Sequence, residues 1–158
     1  PGVADEVFAT NTKQFLGNMY RTNQWQHPAP DLGPGMNMIN MAQDPAFADG
    51  VPGDPMMSDA EMQVFLDAFA LSGFTGGINW YRNLTRNWET MGAFEQHIYQ
   101  PTLAIFGDYD MVPKSKTLAE RVSTLEVVEL PCGHWIQQEL PEETNAAMLE
   151  WLDRYYAA

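Results

Sequence analysis

The residues best suited to chemistry are the acids of GDYD (107–110) and the histidine of PCGHW (131–135). Each motif follows a short apolar run, TLAIF (102–106) or LEVVEL (125–130), of the kind that forms a buried strand. In an open α/β sheet, ligands bind just beyond the carboxyl ends of the strands. Two such strands lying side by side and parallel would bring Asp110 and His134 to the same edge. A carboxylate that holds one imidazole nitrogen leaves the other free to act as a general base. The plainer alternative is a solvated loop acid and an incidental histidine, and spacing alone does not separate the two.

The remaining reactive types offer less. His27 stands beside Pro28 at the opening of a proline-rich stretch, and His97 falls in an expected helix. Both read as surface or packing residues. No two of the three histidines have compact metal-ligand spacing, so no metal site is expected. Cys132 lies two residues before His134 but has no separate base partner, and it reads as a small packed residue. As the single cysteine it excludes an internal disulfide and a multi-cysteine zinc site, and it leaves the redox compartment open.

The elements that must position these residues divide into two grammars. Residues 1–98 read as helical with loops. VADEVFATNTKQFLGNMY places Val3, Val7, Phe8, Phe15 and Met19 at mostly helical spacing, with Asp5 and Glu6 in the first turn, where they complement the helix dipole. Residues 26–57, with Pro28, Pro30, Pro34, Pro45, Pro52 and Pro55, read as a long irregular connection. Ser58 and Glu61 predict a capping box opening a helix through Leu71, with Gly73 as its stop. A further helix is expected from near Gly77 past Trp88.

Residues 99–158 change to strand, helix, strand, helix. SKTLAERV (115–122) is the first expected helix, and PEETNAAMLEWLDRYY (141–156) is an amphipathic second one with Pro141 in its first turn. Helical connections between strands imply a parallel sheet covered on its faces. Two such strands cannot cover their own faces or supply their own neighbours, and nothing in residues 1–98 reads as further strands. A partner segment, on the same precursor or on another chain, is therefore expected. The chain opens on Pro1 rather than Met, which reads as processing or as a cut from something longer.

Composition narrows the partners. The 158 residues are 45% hydrophobic and 12% aromatic, enough to bury a core. With 21 acidic against 8 basic residues the net charge is −13, which disfavours nucleic acid and anionic membrane surfaces and leaves an uncharged or weakly polar ligand easiest to hold. No stretch approaches the roughly 18 apolar residues of a membrane helix, so a soluble protein, cytoplasmic by preference, is expected. A homo-oligomer is left open.

Three segments together carry a family resemblance: SGFTGGINWYRNLTRNWE (72–89), PTLAIFGDYDMVP (101–113) and LPCGHWIQQELPEETNAAMLEWL (130–152). They resemble the C-terminal part of soluble epoxide hydrolases, which have the α/β-hydrolase fold. The opening PGVADEVF is similar to the cap segment just after that family's first cap tyrosine, so the resemblance covers nearly the whole chain and is weakest over 24–57. NWYRN is fairly specific within the superfamily, whereas GxxD and GH are shared by α/β-hydrolases generally.

The resemblance implies an α/β fold: a mainly helical cap over residues 1–98, then the last two parallel strands of the hydrolase core with their helices over 99–158. It implies that Tyr81 hydrogen-bonds the epoxide oxygen, that Asp110 orients the histidine and that His134 activates water. Asp108 competes for the acid role, and the Gly-x-x-Asp pattern from Gly107 selects Asp110. Trp80 and Trp135 are expected to wall the substrate pocket, and Trp80 and Trp88 read as core or pocket wall. The implied reaction opens an epoxide to a vicinal diol through an alkyl-enzyme ester, with no cofactor.

No Gly-x-Nu-x-Gly elbow with Asp, Ser or Cys at its centre occurs, nor an HG oxyanion motif. The nucleophilic aspartate is accordingly expected on a missing N-terminal half, and the isolated chain is expected to be inactive. Two alternatives remain at this stage. A dehalogenase of the same fold would stabilise a halide with Trp or Asn donors and not need Tyr81, and a non-catalytic fragment would act only as an association module.

Overall fold

The computed structural model describes residues 2–27 and 37–156, so Pro28, Pro30 and Pro34 lie outside the described residues. Two compact units emerge: Pro1–Arg21 with His27–Met91, and Thr22–Gln26 with Gly92–Ala158.

In the first unit the expected opening helix is two helices, α1 (Val3–Thr10) and α2 (Thr12–Met19), parted at Asn11. The break has a local cause. The Asn11 side chain donates to the Val7 carbonyl at 2.9 Å and the Thr12 hydroxyl to the Phe8 carbonyl at 3.0 Å, so side chains compete for the helical acceptors. The bend lets Phe8 and Phe15 stack at 4.0 Å, and Phe74 meets both edge-on at 5.6 Å. Phe8, Leu16, Ala42 and Phe74 form the buried centre of this unit.

Ala42 comes from the stretch read as irregular, which is a correction. Residues 37–57 contain α3 (Met38–Gln43), a 3-10 turn at Pro45–Phe47, and the two-residue strand β2 (Asp54–Pro55); a first short strand, β1 (Arg21–Thr22), ends the run after α2. Residues 1–98 therefore do contain strands, though only two residues long. The connection is held by Asn18, 2% exposed, whose amide donates to the carbonyls of Met41 (2.9 Å) and Phe47 (3.1 Å) and accepts from Val51 N (2.9 Å). A buried amide with these bonds made is stabilising rather than costly.

α4 (Asp59–Ser72) begins on the expected capping box, in which the Ser58 hydroxyl accepts from Glu61 N and the Glu61 carboxylate accepts from Ser58 N. It ends at Gly73, whose φ of 62° suits a residue without Cβ. The next expected helix is again two, α5 (Thr75–Arg82) and α6 (Leu84–Met91). Asp5 pins α1 to α5, accepting from the Thr75 hydroxyl at 2.7 Å and pairing with Arg82. The Arg82 hydrogen bond first, then that of Thr75, holds the Asp5 carboxyl down at about 2. Trp80 and Trp88 are 77% and 78% exposed, so neither is a core residue of this unit.

The second unit is built on β3 (Thr102–Gly107) and β4 (Leu125–Leu130), which pair in parallel from Thr102↔Leu125 to Gly107↔Leu130. Between them the expected helix shrinks to α7 (Leu118–Arg121). His97, expected in a helix, lies in extended chain beside the parallel bridge Ile98↔Val122, with Nε2 2.8 Å from Ser123 Oγ. After β4 come α8 (Ile136–Glu139) and α9 (Pro141–Tyr156), the latter with the predicted bounds. Arg154 ties α9 to β4 through Glu126 at 2.5 Å.

Gly107 is the one buried residue of β3. A Cβ there would come within 2.3 Å of the Gly133 carbonyl oxygen and 2.7 Å of that of Cys132, both backbone atoms. At Gly133 the nearest atoms to such a Cβ are instead the ends of Glu139 and Trp25, at 2.9 and 3.0 Å. Gly107→Ala in the full-length polypeptide should cost about 3 kcal/mol or abolish folding, and Gly133→Ala should cost less, because side-chain ends can shift where backbone cannot. Denaturant melts of the two variants check this. Equal tolerance of both would show that the strand ends do not approach so closely.

Candidate active site

β3 and β4 run parallel, so both loops leave the sheet at the same edge. The backbone ladder continues past the strands, with Asp108 N donating to the Leu130 carbonyl (2.9 Å) and Tyr109 N to that of Cys132 (3.1 Å). Asp110 is the first residue beyond this ladder. Its Oδ1 lies 2.9 Å from His134 Nδ1 and accepts from Val112 N at 2.9 Å. An ionised carboxylate can only accept, so the proton of this contact sits on His134 Nδ1, and in the neutral ring the lone pair is then on Nε2. The Asp110 side chain is 19% exposed and that of His134 41%, so the acid is the better shielded member.

The neighbouring acid is otherwise engaged. Asp108 faces Lys114 Nζ at 3.4 Å, and the same ammonium pairs with Glu129 at 2.5 Å. These two carboxylates, Glu129 foremost, raise the Lys114 pKa. The structure thus brings Asp110 and not Asp108 to His134, the pairing the Gly-x-x-Asp pattern selects.

Trp135 sets its ring edge-on to the His134 imidazole, centroids 5.1 Å apart. Cys132 is 2% exposed, and burial first, then the surrounding acids Glu139, Asp108 and Asp110, raise its thiol pKa. This burial fits the small packed residue expected from the sequence. His27 is exposed, and among the described residues no three His, Cys, Asp or Glu side chains gather as a metal site would need.

Two groups at this site escaped the sequence reading. Glu139 accepts from Gly133 N at 3.1 Å and Trp135 N at 3.3 Å, the backbone donors on either side of His134. It also accepts from Trp25 Nε1 at 3.4 Å, and the Trp25 ring stacks on Tyr109 at 4.1 Å. The available signal for Glu139 was a carboxylate in the short segment between the histidine and Pro141. Trp25, more than a hundred residues away in sequence, gave none. Tyr81 and Trp80 lie on α5 of the first unit, where Tyr81 is 57% exposed and no described residue hydrogen-bonds its hydroxyl.

No helix among the described residues is long and apolar enough to cross a membrane. No protein-family model matches the chain. Curated relatives do. Epoxide hydrolase A of Mycobacterium tuberculosis is 36% identical over 96% of this chain and 49% of its own length. The bifunctional epoxide hydrolase 2 of Sus scrofa is 34% identical over 97% of this chain and 28% of its own. The crystal structure of epoxide hydrolase A from Mycobacterium thermoresistibile matches with a TM-score of 0.72 at 29% identity, over 96% of this chain and 49% of that one. The chain therefore spans about half the length of the mycobacterial relatives and less of the mammalian one. With the parallel pair β3–β4 and the acid and histidine at its carboxyl edge, these matches make the chain similar to the C-terminal half of epoxide hydrolases and consistent with part of an α/β-hydrolase fold.

Proposed function

We propose that the protein of which this chain is part hydrolyses an epoxide to a vicinal diol, with His134 as general base, Asp110 as its orienting acid and Tyr81 as a donor to the epoxide oxygen. The observation that carries this reading is the 2.9 Å contact of Asp110 with His134 Nδ1, which leaves Nε2 as a base at the carboxyl edge of two parallel strands. In this reading residues 1–98 are the cap and 99–158 the end of the hydrolase core, with Thr22–Gln26 clustering with the latter. Trp80 and Trp135 wall the pocket, and the reaction needs no metal or organic cofactor.

The chemistry runs in two steps. A carboxylate of an aspartate on the complementary N-terminal half attacks one epoxide carbon, the C–O bond breaks, and the oxygen takes a proton from Tyr81 or a second tyrosine. Donors placed at such a developing alkoxide contribute roughly 3–4 kcal/mol each in favourable cases. Water then gives a proton to His134 Nε2 and attacks the ester carbonyl carbon. The tetrahedral centre collapses, the departing alkoxide takes the proton of the imidazolium that Asp110 stabilises, and the carboxyl proton left by the added hydroxide passes to the tyrosinate, so the diol leaves with aspartate, histidine and tyrosine restored.

The complementary half, on the same precursor or a separate chain, is also the partner this surface calls for. Leu71 (92% exposed), Trp80, Trp88, Phe94 (69%) and Leu149 (62%) stand open, far beyond the scattered apolar residues of an ordinary monomer surface. The 158-residue chain by itself should therefore be inactive, should associate, and should melt without a sharp transition. A monomeric, cooperative melt in sedimentation and calorimetry would sink the claim that a core half is missing.

His134→Gln in the complete protein should uncouple the two steps. One equivalent of epoxide opens, intact mass rises by one substrate, and no diol accumulates. Asp110→Asn should stall more mildly, because the imidazole remains but loses its charge-stabilised tautomer. Asp108→Asn should have little effect. Normal turnover by His134→Gln removes the base from this chain, and a stall in Asp108→Asn but not Asp110→Asn reverses the choice of acid.

Tyr81→Phe keeps the ring and deletes the donor. Epoxide opening should slow markedly while stability moves by only about 1 kcal/mol. Unchanged turnover makes Tyr81 a wall residue and favours a dehalogenase of the same fold.

A further inference from the structure

We infer that Glu139 is a positioning residue for the proposed base, holding the His134 loop through the backbone and coupling it to the Asp110 loop through Trp25 and Tyr109. The inference rests on His134 being the base, and it concerns residues that neither the family motifs nor the sequence singled out.

The loop needs such a tie. His134 lies between β4 and the single turn α8, and a helix of four residues does little to fix the chain that enters it. The N–H groups on both sides of His134, those of Gly133 and Trp135, converge on one carboxylate at 3.1 and 3.3 Å. Hydrogen bonds to an ionised acceptor are about twice as strong as neutral ones, and two of them spanning the Gly133 and His134 Cα atoms restrict the backbone dihedrals between. The lack of a side chain at Gly133 permits this, because a Cβ there would meet Glu139 Oε1 at 2.9 Å.

The same carboxylate reaches the acid. Glu139 Oε2 accepts from Trp25 Nε1 at 3.4 Å, and the Trp25 ring lies on Tyr109 with an interplanar angle of 11°. Tyr109 is the residue before Asp110, so one chain of contacts (carboxylate, indole, phenol) spans the two loops whose side chains meet at 2.9 Å. Glu139 touches no reacting atom. Its effect passes through the placement of His134, and that placement is needed when water is activated, not when the ester forms.

The test is single-turnover kinetics of the full-length polypeptide with an epoxide, following ester formation and ester hydrolysis separately by quenched-flow mass measurement. Glu139→Ala should slow ester hydrolysis by about 10–100-fold, as displacements near 1 Å do, with ester formation changed by less than about threefold. Glu139→Gln, whose amide oxygen still accepts one of the two N–H groups, should recover most of that loss. Trp25→Phe, which keeps a ring to stack on Tyr109 but removes the indole donor, should fall between wild type and Glu139→Ala. Ester hydrolysis at the wild-type rate in Glu139→Ala overturns the inference. So does equal slowing of both steps, which marks a merely structural role. Should Glu139→Ala not fold, Glu139→Gln and Trp25→Phe decide by the same criterion: selective slowing of the second step supports positioning, and no selectivity overturns it. His134→Gln in the same assay separates the two claims. If it stalls and the Glu139 variants do not, only the positioning falls; if it does not stall, the base falls and Glu139 has nothing to position.

Discussion

The site depends on a close approach of backbone to backbone, in which Gly107 at the end of β3 lies against the carbonyls of Cys132 and Gly133 with no room for a Cβ. Register sets up this contact, since Gly107 pairs with Leu130, and the next two residues after β3, Asp108 and Tyr109, bond the carbonyls of Leu130 and Cys132. The two loops therefore leave the strands in step. Asp110 is then the first side chain free to turn across, and His134 stands where it can be met. A bulkier residue at 107 would separate the strand ends first and the Asp110–His134 pair second. Glycine here serves proximity and not an unusual dihedral, because its φ is not among the positive ones.

What the sequence made legible is what punctuation and period encode. The bounds of β4, α4 and α9 follow from Gly, Pro and a capping box, each of which ends or begins an element for a local reason. The breaks at Asn11 and Asn83 were not legible. They depend on amide side chains bonding carbonyls four residues back, a choice that periodicity alone does not reveal. α3 was hidden in a proline-rich stretch because its stability comes from tertiary contact. Met41 and Ala42 are buried, and Asn18 on α2 bonds the Met41 carbonyl beneath them. His97 lies outside the expected helix because its neighbour Ile98 bridges Val122, a long-range pairing that local sequence does not reveal.

For the site, the acid and the histidine were legible because strand ends are where such chemistry must sit in a parallel sheet. Their support was not. Glu139 and Trp25 are separated by 114 residues, and their contact exists only once the loops are folded together. The core alternative for Trp80 and Trp88 fails for a related reason. An aromatic side chain is ordinarily buried, and these two lie exposed on a chain that spans about half the length of its mycobacterial relatives. The burial rule describes a completed interior, and these two indoles depart from it among the described residues.

Two acids two residues apart are given different work by their partners alone. Lys114 draws Asp108 and Glu129 to one ammonium on the outside of the sheet edge, and this removes Asp108 from competition for the imidazole. Asp110 is left with the His134 Nδ1–H and one backbone N–H, and is more shielded than Asp108, whose side chain is 41% exposed against 19%. Shielding strengthens a carboxylate's hold on an imidazole, because the attraction between them weakens as water is admitted. Lys114 thus contributes to the selection of the acid without touching the histidine. In a chain of net charge −13, with carboxylates abundant, a single cation placed six residues beyond the first aspartate helps to settle which one faces His134.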